Sequence, residues 1–195
     1  MRRLIILLPV SMLLMFANGQ SQTTNFPSVD NKAVLFDFSG LSNLGANNYE
    51  GGIGGKYFLT DQMALRVMLL FDLYNHTNAS GSGTKDDSVQ FGLMAALEYH
   101  FPISTSVSPY VGGGLFAMSG DIKSSSPYGE VKGSTTTLGV GAIAGFEYFF
   151  NKNISLAAEY QFGLSATNST GTGVPSEQEL DLGFQTANLT LGVYF

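Results

Sequence analysis

Five charged residues each lie near the end of a strongly alternating segment, on the more polar side of the alternation. They are Lys56, Arg66, Glu98, Glu147 and Glu159. If these side chains share an enclosed space, the two cations and three carboxylates can either pair with one another or line a passage for ions. Unpaired buried charges are costly, so we expect a neutralising ion-pair network that plugs the space. A gate or a narrow pore is the alternative.

Groups suited to catalysis are few in this chain. The histidines are His76 and His100, and there is no cysteine. Hydrolysis by a nucleophile requires a base and an orienting group beside it. Only His76, with Asp72 and the nearby Ser80 and Ser82, offers such a group, whereas His100 falls at the opposite end of its segment. Lone histidines and serine-rich loops are common without catalysis, so we expect a non-enzymatic protein.

The sequence also argues against cofactors, metals and nucleic acid as ligands. The glycine-rich run 51–55 lies inside a strand-like segment and does not open a helix, as a phosphate-binding loop would. His, Asp and Glu do not occur at metal-ligand spacing. The net charge of −6 argues against nucleic acid, which requires clustered Lys and Arg.

Eight short segments with period-two alternation must position the charged residues, and turn-forming Gly, Ser, Asn, Thr and Asp separate them. We predict strands at 33–41, 49–58, 63–75, 88–101, 109–118, 135–150, 154–164 and 179–195.

The two faces of these segments differ in an unusual way. In the sixth segment every second position from Leu138 to Phe150 is apolar. Half of the intervening positions are Gly, and Glu147 lies near the end. A soluble sheet would carry many Lys and Glu on its solvent face, whereas small residues and a few charges suit a narrow lumen. The segment 109–118 is too rich in glycine for its faces to be assigned.

The connections alternate between short and long. Links 59–62, 102–108 and 151–153 are short, links 76–87, 119–134 and 165–178 are long and polar, and link 42–48 is intermediate. Short turns at one end and long loops at the other are typical of outer-membrane barrels, whose short turns face the periplasm. We therefore predict an all-β, eight-stranded antiparallel up-and-down transmembrane β-barrel over residues 20–195. An even strand number places both termini in the periplasm.

The N-terminus predicts export. Arg2 and Arg3 precede an apolar run at 4–16, and small residues follow at 17–19. This is the organisation of a cleavable signal peptide, so we predict that residues 1–19 are removed. The run is shorter than the ~20 apolar residues that a transmembrane helix requires.

Tyrosines recur near the short links, where a barrel meets the membrane surface. Because an amphipathic ring is favourable at that level, we predict a periplasmic aromatic girdle. Ordinary core tyrosines are the alternative. The girdle would contain Tyr57, Tyr99, Tyr110, Tyr148 and Tyr160.

Several of these features together resemble a known family, the small outer-membrane β-barrel proteins of the opacity-protein, OmpX and OmpA-barrel kind. They are the N-terminal signal at 2–19, the Glu-Tyr-x-Phe strand ends at 98–101, 147–150 and 159–162, the run Pro109–Gly114 and the closing strand 189–195. The resemblance implies assembly by the outer-membrane insertion machinery. That machinery recognises a C-terminal aromatic strand such as the one ending at Phe195.

These observations give an expected location and three ranked functions. We expect a monomeric integral protein of the outer membrane of a Gram-negative bacterium, surrounded by lipid and lipopolysaccharide. Acidic, flexible loops on a rigid barrel favour a structural or adhesion-type role at the cell surface, with a host or surface ligand. A porin-like channel for ions or small solutes is the alternative. A lipid A hydrolase or protease at the outer rim is a distant third.

Overall fold

The computed structural model describes residues 25–39, 48–77, 85–126, 129–171, 174–184 and 187–195. These residues form nine strands, and no helix among them is long and apolar enough to cross a membrane. The strands are β1 (Lys32–Ser39), β2 (Asn48–Phe58), β3 (Met63–Thr77), β4 (Lys85–His100), β5 (Val107–Ser126), β6 (Gly129–Asn151), β7 (Ile154–Gly171), β8 (Val174–Phe184) and β9 (Asn188–Tyr194).

The strands pair in a ring. From β1 to β7 each strand pairs antiparallel with the next, and β9 pairs with both β7 and β1. β9 pairs with residues 154–159 of β7, and β8 pairs with residues 162–171 of the same strand. β8 and β9 are therefore two halves of the predicted eighth strand. The predicted all-β, antiparallel up-and-down barrel is confirmed.

Side chains are distributed inside out compared with a soluble protein. Large apolar residues point outward, and Leu69, Phe91, Leu115, Leu138 and Phe150 are each 58% to 63% exposed. Charged and polar residues at the intervening positions point into the lumen and are buried. This arrangement is stable only where the surroundings of the barrel are themselves apolar.

The two ends of the barrel differ in their connections. At the end that we call the turn end, residues 59–62, 101–106 and 152–153 make short links, and β1 begins and β9 ends there. In each short link one side-chain oxygen accepts hydrogen bonds from two following backbone N–H groups, which fixes the turn. The acceptors are Thr60, Ser104 and Asn151. We call the opposite end the hairpin end.

The predicted long loops at 119–134 and 165–178 are wrong. β5 and β6 stay paired up to Ser126 and Gly129, and β7 and β8 up to Gly171 and Val174. Ser and Thr suggested loops, but here they pair across strands: the hydroxyl oxygens of Ser134 and Thr170 lie 2.9 Å apart, as do those of Thr137 and Thr167. Such cross-strand hydroxyl pairs stabilise a sheet, and Thr is itself a good strand former. Residues 40–47 and 78–84, which contain most of the other two predicted links, lie outside the described residues.

Candidate functional site

Five strands bring the five predicted charged residues together inside the barrel, on the turn-end side. Lys56 lies on β2 directly opposite Arg66 on β3. Glu98, Glu147 and Glu159 project inward from β4, β6 and β7, and none of the five side chains is more than 4% exposed. We call these five residues the lumen cluster. Alternation places them there, since each occupies an inward position of its strand.

Direct ion pairs connect the lumen cluster. Lys56 Nζ lies 2.9 Å from Glu98 Oε2 and 3.1 Å from Glu147 Oε2. Arg66 donates two hydrogen bonds to Glu159, from Nη1 to Oε2 at 2.7 Å and from Nη2 to Oε1 at 3.2 Å. This two-bond geometry is the strongest pairing available to an Arg and a carboxylate.

Arg66 also bridges to Glu98, which ties the two halves of the cluster together. Its Nε lies 3.1 Å from Glu98 Oε1, but the N–H does not point at that oxygen, so the contact is an ion pair without a hydrogen bond. Every charged group of the cluster therefore has an oppositely charged neighbour within about 3 Å. Such mutual neutralisation offsets the large cost of removing the charges from water.

Neutral hydroxyl groups complete the coordination of two carboxylates. Tyr194 donates to Glu147 Oε1 at 2.7 Å and Ser155 donates to the same oxygen at 2.5 Å. The Tyr110 hydroxyl donates to Glu159 Oε2 at 2.7 Å. None of these three groups was predicted from the sequence to belong to the network. Inward parity on β9 and β7 is the signal that identifies Tyr194 and Ser155, whereas the glycines of β5 hide the parity of Tyr110.

His100 is a further member that the sequence analysis left out of the network. Its Nε2 lies 3.2 Å from Glu98 Oε2 and its Nδ1 lies 3.3 Å from Ser108 Oγ, and the ring is fully buried. The signal was present in the sequence, because His100 shares the inward parity of Glu98 on β4. With the imidazole neutral, two cations face three carboxylates. An imidazolium would balance the cluster.

The placement of Tyr110 in an outward-facing girdle is wrong. Its side chain is 1% exposed and lies inside the barrel, with its ring centre 5.3 Å from Lys56 Nζ. Gly145, opposite it on β6, makes this possible. A Cβ atom at that position would lie 2.8 Å from the Tyr110 hydroxyl. The missing side chain of Gly145 thus opens the space through which the phenol reaches Glu159.

The other predicted girdle tyrosines point away from the lumen. Tyr99, Tyr148 and Tyr160 are 39% to 49% exposed. Tyr57 is partly buried, and its hydroxyl donates to Asp30. Phe195 is 71% exposed, and its backbone exchanges hydrogen bonds with Lys32, where the last strand meets the first.

A cavity of about 290 Å³ lies on the hairpin-end side of the lumen cluster. Asp37, Glu50 and Asp72 contribute carboxylates to its lining, and Arg66 and Glu159 reach it from the cluster. Within the described ranges, no group of three or more His, Asp or Glu side chains is placed to hold a metal ion. Apolar side chains, including Met68 and Met94, also line the cavity, which ends at the ion pairs of the lumen cluster.

Only part of the predicted catalytic group around His76 lies within the described residues. His76 lies near the end of β3, but its side chain, together with Ser80 and Ser82, falls outside the described residues. Asp72 lines the cavity and His100 belongs to the lumen cluster network.

Comparison with known proteins identifies the family. Residues 7–195 match the model of the outer membrane protein beta-barrel domain. No curated protein sequence matches significantly.

Among solved structures, the attachment invasion locus protein Ail of Yersinia pestis is 18% identical, with a TM-score of 0.55, and the match covers 86% of this chain and 99% of Ail. Neisserial surface protein A is 17% identical, with a TM-score of 0.50 and coverage of 84% and 92%. The N-terminal barrel of Pseudomonas aeruginosa OprF is 22% identical, with a TM-score of 0.46 and coverage of 87% and 100%. At these identities the first two likenesses show a shared fold. From the family match it follows that the chain belongs to the outer membrane protein beta-barrel domain family and is an integral protein of the outer membrane.

Proposed function

We propose that this protein is a non-enzymatic surface barrel whose lumen is plugged and whose hairpins present a binding surface outside the cell. The observation that carries this proposal is the lumen cluster, a buried layer in which every charge is paired. The interior of an eight-stranded barrel is only wide enough for side chains to fill it. A filled layer in so narrow a lumen leaves no room for a solute to pass. We therefore assign the function to the hairpin end.

We infer the orientation from the lengths of the connections. Short turns of outer-membrane barrels face the periplasm, so we place the turn end and both termini of the mature chain there, after removal of residues 1–19. Tyr57, Tyr99, Tyr148 and Tyr160 would then lie at the periplasmic interface. Phe195 would serve as the signal for the insertion machinery. The barrel would act as a monomer among lipids and lipopolysaccharide.

The hairpin end supplies the binding surface. β5 and β6 contain 20 and 23 residues, whereas a tilted strand needs only about 9–11 residues to cross a membrane. On β6 the outward apolar positions end at Leu138, and Thr136, Ser134 and Lys132 follow. We therefore place the tip of the β5–β6 hairpin beyond the membrane, where its continued pairing makes it rigid.

Rigidity matters because a preorganised surface loses less entropy on binding. One ion pair joins the two hairpin strands, with Glu130 on β6 lying 3.0 Å from Lys123 on β5. Glu130 also lies 2.9 Å from Lys132 on its own strand. A host or surface ligand at this hairpin fits an adhesion-type role. The name of Ail refers to attachment and invasion, but that likeness carries only the fold.

The test shortens this hairpin and measures cell adhesion. Ile122 and Gly133 are directly paired, so residues 123–132 can be replaced by Asn-Gly, a two-residue turn suited to a hairpin. Bacteria displaying wild type at matched surface levels should adhere to epithelial cells or matrix proteins, and the shortened variant should lose most of this adhesion. Thr137→Ser, which keeps the hairpin, is the control. Equal adhesion by shortened and wild-type proteins would contradict the proposal.

A narrow channel is the second candidate, and the cavity favours it. The cavity reaches Arg66 and Glu159 on the hairpin-end side of the lumen cluster, so the cluster itself and the side chains on its turn-end side would have to open. Conductance measurements separate this candidate from a plugged barrel.

A further inference from the structure

Residues 25–31 cross the turn end of the barrel before the chain enters β1. The Asn25 N–H donates to the Thr105 carbonyl at 2.9 Å, and the Val29 N–H donates to Asp61 Oδ1 at 3.0 Å. The segment is thus tied to two different short turns, 101–106 and 59–62. It spans the opening between them.

Phe26 inserts from this segment into a pocket of aromatic rings. Its ring centre lies 5.5 Å from that of Phe58 and 5.5 Å from that of Phe149, both in edge-on geometry, and 5.6 Å from that of His100. Tyr194 adjoins Phe58 and Phe149 at 6.3 and 5.6 Å. Edge-on packing at these distances is a favourable aromatic arrangement.

The pocket lies directly below the lumen cluster and shares side chains with it. His100 stacks on Tyr110 at 5.0 Å and also contacts Glu98, and Tyr194 donates to Glu147. Phe26 therefore occupies the layer between the ion pairs and the water at the turn end.

Phe26 differs from the rest of this layer in how it is held. Phe58, His100, Phe149 and Tyr194 belong to strands or strand ends that build the barrel, whereas residue 26 belongs to none of the strand ladders. Asp30 and Asn31 exchange backbone hydrogen bonds with Phe58 and stay with the barrel, but residues 25–29 can leave without breaking a strand pairing. Local opening of this kind costs less free energy than global unfolding.

We propose that residues 25–29 form a detachable N-terminal plug, whose binding site is the aromatic pocket of Phe58, His100, Phe149 and Tyr194. With the plug in place the lumen cluster is sealed from the aqueous phase at the turn end, and the low local dielectric strengthens its ion pairs. With the plug released, small ions and reagents reach the cluster from that side.

The absence of cysteine makes a direct test possible. Ser108 is fully buried beside His100, so Ser108→Cys places a single thiol just above the plug. The rate of its modification by a charged methanethiosulfonate reagent is measured in folded protein, with Phe26 intact and with Phe26→Ala. Because modification follows the open population, removal of the phenyl ring should raise the rate roughly 10- to 100-fold.

Two further variants make the test decisive. Phe150 lies on the outer surface near the same end and packs on Tyr148, so Phe150→Ala removes an equal ring and should leave the rate unchanged. Phe26→Leu refills much of the pocket and should give a smaller rise. Equal rates in Phe26→Ala and Phe26-intact proteins would overturn the proposal. So would failure of Phe26→Ala to fold, judged by heat-modifiable gel mobility, because a detachable plug must leave the barrel standing.

Discussion

Arg66 is the residue on which the interior of this barrel depends most. It pairs with Glu159 through two hydrogen bonds and bridges to Glu98, so it joins the two halves of the lumen cluster. A buried ion pair need not stabilise a protein relative to an apolar core of the same volume, but removal of one partner leaves an uncompensated charge. The first prediction concerns such a removal.

Arg66→Ala should destabilise the barrel by about 3–5 kcal/mol, because Glu159 and Glu98 lose their guanidinium partner in a buried site. The measurement is equilibrium unfolding in guanidinium chloride for protein refolded into lipid vesicles. Lys85→Ala is the control, since the Lys85–Asp87 pair is solvent-exposed, with the Lys85 side chain 49% exposed. Such pairs contribute only about 0–1 kcal/mol. If both variants unfolded at the same denaturant concentration as wild type, the ion-pair account of the lumen would be wrong.

A second prediction at the residue scale concerns Gly145. A Cβ atom there would lie 2.7 Å from the Ala158 carbonyl oxygen and 2.8 Å from Tyr110, so Gly145→Ala must displace the phenol from Glu159. We expect a loss of about 1–3 kcal/mol, the usual cost of overpacking, measured by the same unfolding experiment. Gly113→Ala serves for comparison, because its Cβ would meet nothing closer than 3.5 Å. Equal stabilities of the two variants would show that the Tyr110 side chain does not need the space left by Gly145.

At the scale of elements, period-two alternation predicted most of the fold. It gave the number of strands, their antiparallel order and the outward apolar face. It also placed Lys56, Arg66 and the three Glu residues on the inward face, because parity along a strand depends only on local sequence. What alternation could not give was the length of β5 to β8.

The physical reason for that failure is that Ser and Thr suit both loops and strands. Ser134 and Thr167, which were predicted to lie in loops, carry no apolar periodicity. Ser134 nevertheless pairs with Asp121 on β5 and Thr170 on β7, and Thr167 pairs with Thr137 on β6. Partners far away in the sequence decide between the two conformations. The orientation of Tyr110 was predicted wrongly for a related reason. The glycines around it hide the parity of β5, and the space left by Gly145 on another strand determines where its ring lies.

A prediction at the element scale uses the outward face of β6. Ala144 lies midway between Leu138 and Phe150 on the apolar face, whereas Thr136 is also outward but lies beyond Leu138 toward the hairpin end. Ala144→Arg should destabilise the barrel in lipid by about 2–4 kcal/mol, while Thr136→Arg should cost about 0–1 kcal/mol. The two variants are compared by unfolding in vesicles of the same lipid. Equal costs would contradict the assignment of Ala144 to the membrane centre.

The whole molecule is an outer-membrane barrel in which polarity is inverted between inside and outside. Apolar side chains cover the outer surface and the interior contains, in order from the turn end, an aromatic layer, the lumen cluster and a cavity of mixed lining. Side chains fill the first two of these layers, and the cavity ends where they begin. We therefore infer that the lumen is closed and that the protein acts through its hairpins.

The most direct test is ion conductance of the refolded mature protein, residues 20–195, in a planar lipid bilayer. Folding is verified beforehand by heat-modifiable gel mobility. Folded wild-type protein should insert into the bilayer without conducting ions, because paired side chains fill the lumen. Discrete, steady channels from the folded protein, with an ion selectivity that changes in Arg66→Ala, would contradict the inference of a closed lumen and would make the lumen cluster the filter of a pore.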